Sequence, residues 1–94
     1  MGELYVSKKR HLVKVKGEEV TLTMKEFELL LLFLSNTGIV FSRAQLLDKI
    51  WGYQFDGESR TVDVHIRTLR QKLKEAGRYI ETVRGIGYKV GGEE

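Results

Sequence analysis

The chain has 94 residues, 41% hydrophobic and 31% charged, which is enough apolar material for one compact core and too little length for two. With no cysteine it has neither a disulfide scaffold nor a thiolate metal site, and a cytoplasmic location is expected. Net charge is +3, but residues 1–58 balance eight Lys/Arg against eight Asp/Glu, whereas residues 59–92 set eight against three. A basic segment beside a neutral one suits a polyanionic partner, or else marks a solvated basic helix. The longest apolar run, Leu29–Leu34, is far below the roughly 20 residues a bilayer span needs. The N-terminal Met1-Gly2-Glu3-Leu4-Tyr5 shows no signal pattern, so no membrane association is expected.

The N-terminal part reads as short strands: Leu4–Val6, then His11–Val15 and Glu19–Leu22 paired across a Lys16-Gly17 turn. Thr23-Met24-Lys25-Glu26 fits a capping box and opens a helix. Phe27, Leu30, Leu31 and Leu34 recur at helical spacing, and Leu29, Leu32 and Phe33 fill the other side, so the helix is expected to be buried on two faces. It ends at Asn36-Thr37-Gly38. Ser42-Arg43-Ala44-Gln45 is a second capping box, followed by Leu46, Leu47, Ile50 and Trp51 on the apolar face of a short helix that Gly52 stops. After the loop 52–58, a third helix is predicted from Arg60 to Ala76, with Ser59 as cap, Gly77 as stop and Val62, Ile66, Leu69 and Leu73 as its buried stripe. Tyr79–Arg84 and Ile86–Val90 read as a hairpin around Gly85. The expected fold is α+β: a winged helix-turn-helix with an N-terminal antiparallel sheet, three helices and a C-terminal β-hairpin wing. One domain spans 1–94, with its core at about 4–90.

Opposite the buried stripe, the third helix presents Arg60, Thr61, Val64, Arg67, Thr68 and Gln71, with His65 at the margin. Arg donates twice to a guanine edge, Gln pairs with adenine, and Val or a Thr methyl packs on a thymine methyl, so this set suits a major groove. Arg70, Lys72 and Lys74 flank it and are better placed for phosphates. A solvated amphipathic helix accounts for the same stripe, although Val64 on the polar face speaks mildly against that. Arg84 beside Gly85, with Gly87 close by, puts one long cation on a narrow tip of the kind that enters a minor groove; an ordinary hairpin turn explains it as well.

An enzyme is disfavoured. The two histidines, His11 and His65, fall on different elements, and Gly85-Ile86-Gly87 leads into a strand rather than a helix, so it is not a dinucleotide-binding fingerprint. No catalytic residue, cofactor or metal is expected. The principal alternative is a winged helix used for protein–protein contact without DNA.

Four motifs, in order, resemble the OmpR/PhoB family of response-regulator DNA-binding domains: Leu22–Leu30, Ser42–Trp51, Arg60–Leu73 and Ile80–Tyr88. The likeness covers the chain from about Leu4 to Val90. It implies a four-stranded N-terminal sheet, a third helix in the major groove and a wing at the minor groove. Carried over by position, Arg60, Thr61, Val64, His65, Arg67, Thr68 and Gln71 become recognition-helix candidates, joined as DNA contacts by the flanking Arg70 and Lys74, and Arg84 and Gly85 form the wing. Family members often carry arginine where this chain has Thr68, so base preference there does not transfer. The resemblance also implies tandem DNA half-sites and an N-terminal receiver domain, not found in these 94 residues, through which a sensor histidine kinase would act only indirectly. An excised output domain and a stand-alone protein both remain open. Finally, the loop carrying Tyr53, Phe55, Asp56 and Glu58 has two aromatics in an acidic rim, a composition suited to protein contact, unless an aromatic simply packs on Trp51. The family implies RNA polymerase as that partner.

Overall fold

Leu4–Val6 and Leu12–Val15, apolar but for Lys14, flank the polar run Ser7–His11 and form the first two expected strands. The computed structural model describes residues 2–52 and 60–91. In it, β1 (Leu4–Ser7) pairs antiparallel with β2 (Leu12–Val15), and β2 pairs with β3 (Glu18–Glu19). Leu4 and Val15 face each other across the pair and are buried, while Tyr5, opposite Lys14, is exposed on the outer face. The reversal at Lys16-Gly17 takes two left-handed residues, at φ 52° and 84°.

This sheet differs from expectation in size. Among the described residues it has three strands rather than four, and the third is two residues long. Val20 still donates its N–H to the Val13 carbonyl at 2.8 Å, but Thr21 and Leu22 lie outside any strand. His11, expected to begin β2, instead adopts φ 52° and stacks its ring on Phe27, with centroids 4.6 Å apart.

Both capping boxes form. At the start of α1 (Met24–Leu34), Glu26 N–H donates to Thr23 Oγ1 at 3.2 Å and Thr23 N–H donates to Glu26 Oε1 at 2.9 Å. The helix buries Glu26, Phe27, Leu29, Leu30 and Phe33. Leu31, Leu32 and Leu34 are only half-buried at the margin, so the helix is not enclosed on two faces. At α2 (Arg43–Leu46) the Ser42 box is likewise reciprocal. The helix then widens over Leu47–Trp51, where Gly52 N–H reaches back five residues to the Leu47 carbonyl at 3.0 Å. Leu46 is fully buried, whereas Leu47, Ile50 and Trp51 cover the core only partly.

The third helix, α3 (Arg60–Leu73), buries Val62, Ile66, Leu69 and Leu73, each at most 1% exposed. It ends earlier than its periodicity suggests. Lys74 turns left-handed at φ 54° and the chain continues as a 3-10 segment, Lys74–Tyr79. Gly77 therefore does not stop the helix. It sits so close to the Arg70 carbonyl that any Cβ there would collide with it. The proposed cap, Ser59, lies outside the described residues.

The C-terminal hairpin is β5 (Ile80–Val83) and β6 (Gly87–Val90), joined through Arg84, Gly85 and Ile86. A short strand that hydrophobic patterning does not reveal, β4 (Phe41–Ser42), pairs with β6 to give the sheet order β4-β6-β5. Gly87 makes that pairing possible, because a side chain there would overlap the Phe41 carbonyl oxygen. The core lies between the two sheets and the three helices, with Phe33, Leu29, Leu30, Leu46, Ile66 and Leu69 fully enclosed. Among the described residues, no helix is long and apolar enough to cross a membrane.

Candidate nucleic-acid interface

α3 has four sides, and three of them are occupied by the protein itself. The stripe Val62, Ile66, Leu69, Leu73 faces the core. One flank is turned towards α1 and the end of the second helix. There Thr68 Oγ1 donates to Glu26 Oε2 at 2.6 Å and Lys72 Nζ donates to Glu26 Oε1 at 2.8 Å. His65 sets its ring edge-on to Trp51 at 4.9 Å, and its Nδ1 lies 2.8 Å from the Thr61 carbonyl. A carbonyl only accepts, so Nδ1 carries the proton in that bond. The other flank is turned towards the hairpin. Asp63 accepts from Tyr88 OH at 2.6 Å and from Arg43 Nε at 2.7 Å, and Arg70 donates to the Ile80 carbonyl and to Thr82 Oγ1.

The fourth side is open. Arg60, Val64, Arg67 and Gln71 are exposed along it, with Lys74 exposed just past its end, and Val64 is 52% exposed. An apolar side chain exposed among long donors is what base-edge contact requires: hydrogen bonds to edge atoms and packing on a methyl group. The structure thus sorts the sequence candidates. Arg60, Val64, Arg67, Gln71 and Lys74 share the open side or its end, while Thr61 and His65 are half-buried at its edge. Thr68 Oγ1 and the Nε and Nη2 of Arg70 are engaged within the chain. The ion pairs found among the described residues engage Lys72 and Arg43 from this region but not Arg60, Arg67, Lys74 or Arg84.

Glu26 holds the α1 flank. It is 2% exposed and accepts from Thr23 N–H, Thr68 Oγ1 and Lys72 Nζ. Burial by itself would raise its pKa. The hydrogen bonds from Lys72, Thr68 and Thr23 outweigh that and lower it to about 2. The carboxylate therefore stays ionised at any physiological pH. On the hairpin flank, burial is likewise the largest influence on Asp63 and opposes ionisation, but Tyr88 and Arg43 bring its pKa below the ordinary value. Burial and the Asp63 carboxylate push Tyr88 up, so its hydroxyl keeps its proton and donates it.

At the hairpin tip, Arg84, Gly85 and Ile86 are all exposed, with Ile86 at 57%. The turn is closed by Ile86 N–H donating to the Val83 carbonyl at 2.9 Å, and Gly85 takes φ 75°. Ile86 is a tip residue that charge-based reading passes over. Local spacing does not mark Glu26, Asp63 and Tyr88 as positioning residues, because the partners that tie them to other elements are 20 to 46 residues away in sequence. Tyr53, Phe55, Asp56 and Glu58 lie outside the described residues.

The family model described as "Transcriptional regulatory protein, C terminal" matches residues 17–90. The chain is 43% identical over 94 residues to the sensory transduction protein RegX3 of Mycolicibacterium smegmatis, covering 97% of this chain but 41% of RegX3. Among solved structures, the DNA-binding domain of Bacillus subtilis CssR superimposes with TM-score 0.84 at 39% identity, covering 93% of this chain and 98% of that one. The Klebsiella pneumoniae RstA DNA-binding domain, solved in complex with the RstA box, superimposes with TM-score 0.84 at 33% identity, covering 98% and 94%.

The depressed pKa of Glu26 has a pH signature. The folded value, about 2, lies below the ordinary 4.5, so its stabilisation is present in full above pH 4.5 and is lost as pH falls towards 2. Glu26→Gln is expected to cost on the order of 1–3 kcal/mol at neutral pH. In urea unfolding series, the gap between wild type and variant should narrow over that acid range. A gap that stayed constant with pH would show that the charge of Glu26 contributes nothing.

Proposed function

Because the chain belongs to the OmpR/PhoB-type family of transcriptional-regulator C-terminal domains, we propose that it reads specific double-stranded DNA as the output domain of a two-component response regulator. Membership makes it a DNA-binding transcription-factor domain and not an enzyme. The observation that carries the specific reading is the open side of α3. The helix is anchored on its other three sides, and this side offers Arg60, Val64, Arg67 and Gln71 outward.

In this reading α3 lies in the major groove. Arg67 and Gln71 contact base edges, Val64 packs on a thymine methyl, and Arg60 and Lys74 meet phosphates. Arg84, on the Gly85 turn, reaches a narrow minor groove. Thr61 and His65 support the helix edge. Thr68 and Arg70, grouped with the DNA contacts on sequence grounds, are assigned here to holding α3 in place, since both are hydrogen-bonded inside the chain. Two copies on tandem half-sites roughly one helical turn apart, about 10–10.5 bp, would use the same DNA face. The chain covers 41% of the length of RegX3. A receiver domain, phosphorylated by a sensor histidine kinase, and a cytoplasmic location are part of the same proposal.

Titration of the duplex that this chain selects from a random pool tests the reading. Affinity should fall steeply between low and physiological salt, because each phosphate contact releases counterions. Arg67→Ala should cost about 1–3 kcal/mol on the selected duplex and relax base preference at one position, whereas Lys74→Ala should weaken all duplexes evenly. Salt-independent binding would contradict DNA binding. Equal losses for Arg67→Ala on selected and random duplexes would remove Arg67 as a base reader.

The loop bearing Tyr53, Phe55, Asp56 and Glu58 is proposed to contact RNA polymerase. Support comes from its composition, since acids there repel phosphates and aromatics in a polar rim favour protein contact. Asp56→Ala combined with Glu58→Ala should lower transcription from an activated promoter while leaving DNA occupancy unchanged. If output simply follows occupancy, the assignment fails.

A further inference from the structure

We propose that Arg70 and Tyr88 clamp the hairpin to α3, so that the helix and the wing tip meet DNA as one rigid reading head. The inference rests on the DNA-binding reading above. Arg70 projects from the flank of α3 and donates twice to one acceptor: Nε and Nη2 reach the Ile80 carbonyl at 3.0 and 2.8 Å. Nη2 also donates to Thr82 Oγ1 at 2.7 Å. These contacts fix β5. The same guanidinium lies 5.6 Å from the centre of the Tyr88 ring, on β6. Tyr88 is 6% exposed, and its hydroxyl donates at 2.6 Å to Asp63, which Arg43 holds from α2. Asp63 and Arg70 are seven residues apart, about two helical turns, and so lie on one flank of α3. Both hairpin strands are therefore fastened to that flank at separate heights.

The clamp grips the strands and leaves the tip clear. Arg84, Gly85 and Ile86 lie beyond Val83, the last β5 residue paired with β6, and all three are exposed. Arg70 turns the Nε and Nη2 donors of its guanidinium to the hairpin, so its part in this proposal is to position the wing. The consequence for binding is one of effective concentration. When α3 sits in a groove, a rigidly held tip is delivered to its own site with little further orientational cost. A loosened hairpin keeps Arg84 but must order it on each binding event, so Arg84 adds less.

The test measures the penalty of Arg84→Ala in three backgrounds by anisotropy titration on the duplex this chain selects from a random pool. The backgrounds are wild type, Tyr88→Phe and Arg70→Lys. Tyr88→Phe removes only the hydroxyl. Arg70→Lys keeps the charge and loses the paired donation. Thermal melts establish that each protein is folded, and Arg70→Lys decides alone if Tyr88→Phe does not fold. In wild type, Arg84→Ala should weaken binding about tenfold. In either loosened background the factor should drop below about threefold. A penalty equal in all three would overturn the clamp while leaving the DNA reading intact. No penalty in wild type would overturn the wing contact and the clamp together, and the salt and Arg67 titrations would then stand as the separate test of DNA binding.

Discussion

A buried carboxylate is the constraint on which this domain depends. Glu26 caps its own helix through Thr23 and at the same time receives Thr68 and Lys72 from α3. Taking an ion out of water costs several kcal/mol unless its lone pairs are filled, and here three donors fill them. No buried side-chain polar atom among the described residues lacks a partner. The first turn of α1 and the middle of α3 are thereby joined through one residue, and α3 can neither rotate nor slide without leaving a buried charge exposed to apolar neighbours.

The rest of the architecture follows from how α3 is surrounded. Its apolar stripe lies on the core, one flank on Glu26 and Trp51, and the other on Asp63's partners and the hairpin. What remains is a single outward strip, and the residues on it are long donors around one exposed valine. Rigid support on three sides is what a groove-reading helix needs, because base-edge hydrogen bonds discriminate only if the donor cannot adjust to the wrong base. The positive charge of residues 59–92 is divided along the same lines. Lys72, Arg70 and Arg78 are engaged within the chain, Arg78 with Glu3 at the N-terminal sheet. Arg60, Arg67, Lys74 and Arg84 are exposed where the strip and the wing tip lie.

Features written in local spacing were legible in the sequence, and features made by distant partners were not. Thr23/Glu26 and Ser42/Gln45 are three-residue patterns, and both boxes form as read. Val62, Ile66, Leu69 and Leu73 follow helical period and are all buried. A helical projection gives an angle, however, and not what stands at that angle. Thr68 and Arg70 fall near the polar face, but an acceptor 42 residues earlier and a carbonyl ten residues later draw their side chains inward. The strand at Phe41–Ser42 is too short to show alternation and exists because Gly87 lets β6 approach it. Helical spacing alone places Leu31 with the core. In the fold it is only half-buried, packed against the margin of the core. At the end of α3, glycine suggested a helix stop at Gly77, but the break falls at Lys74 and Gly77 serves close packing instead.

In the proposed mode of binding, one strip of α3 and the hairpin tip meet DNA while the flanks stay bound to the protein. Residue-resolved NMR perturbation on adding the selected duplex tests it most directly. The account predicts that the largest shifts fall on Val64, Arg67, Gln71 and the Arg84–Ile86 tip, with the Thr68 and Lys72 side chains still bonded to Glu26. The largest shifts falling instead around Leu31, Leu32 and Ile50, with the α3 strip silent, would contradict it.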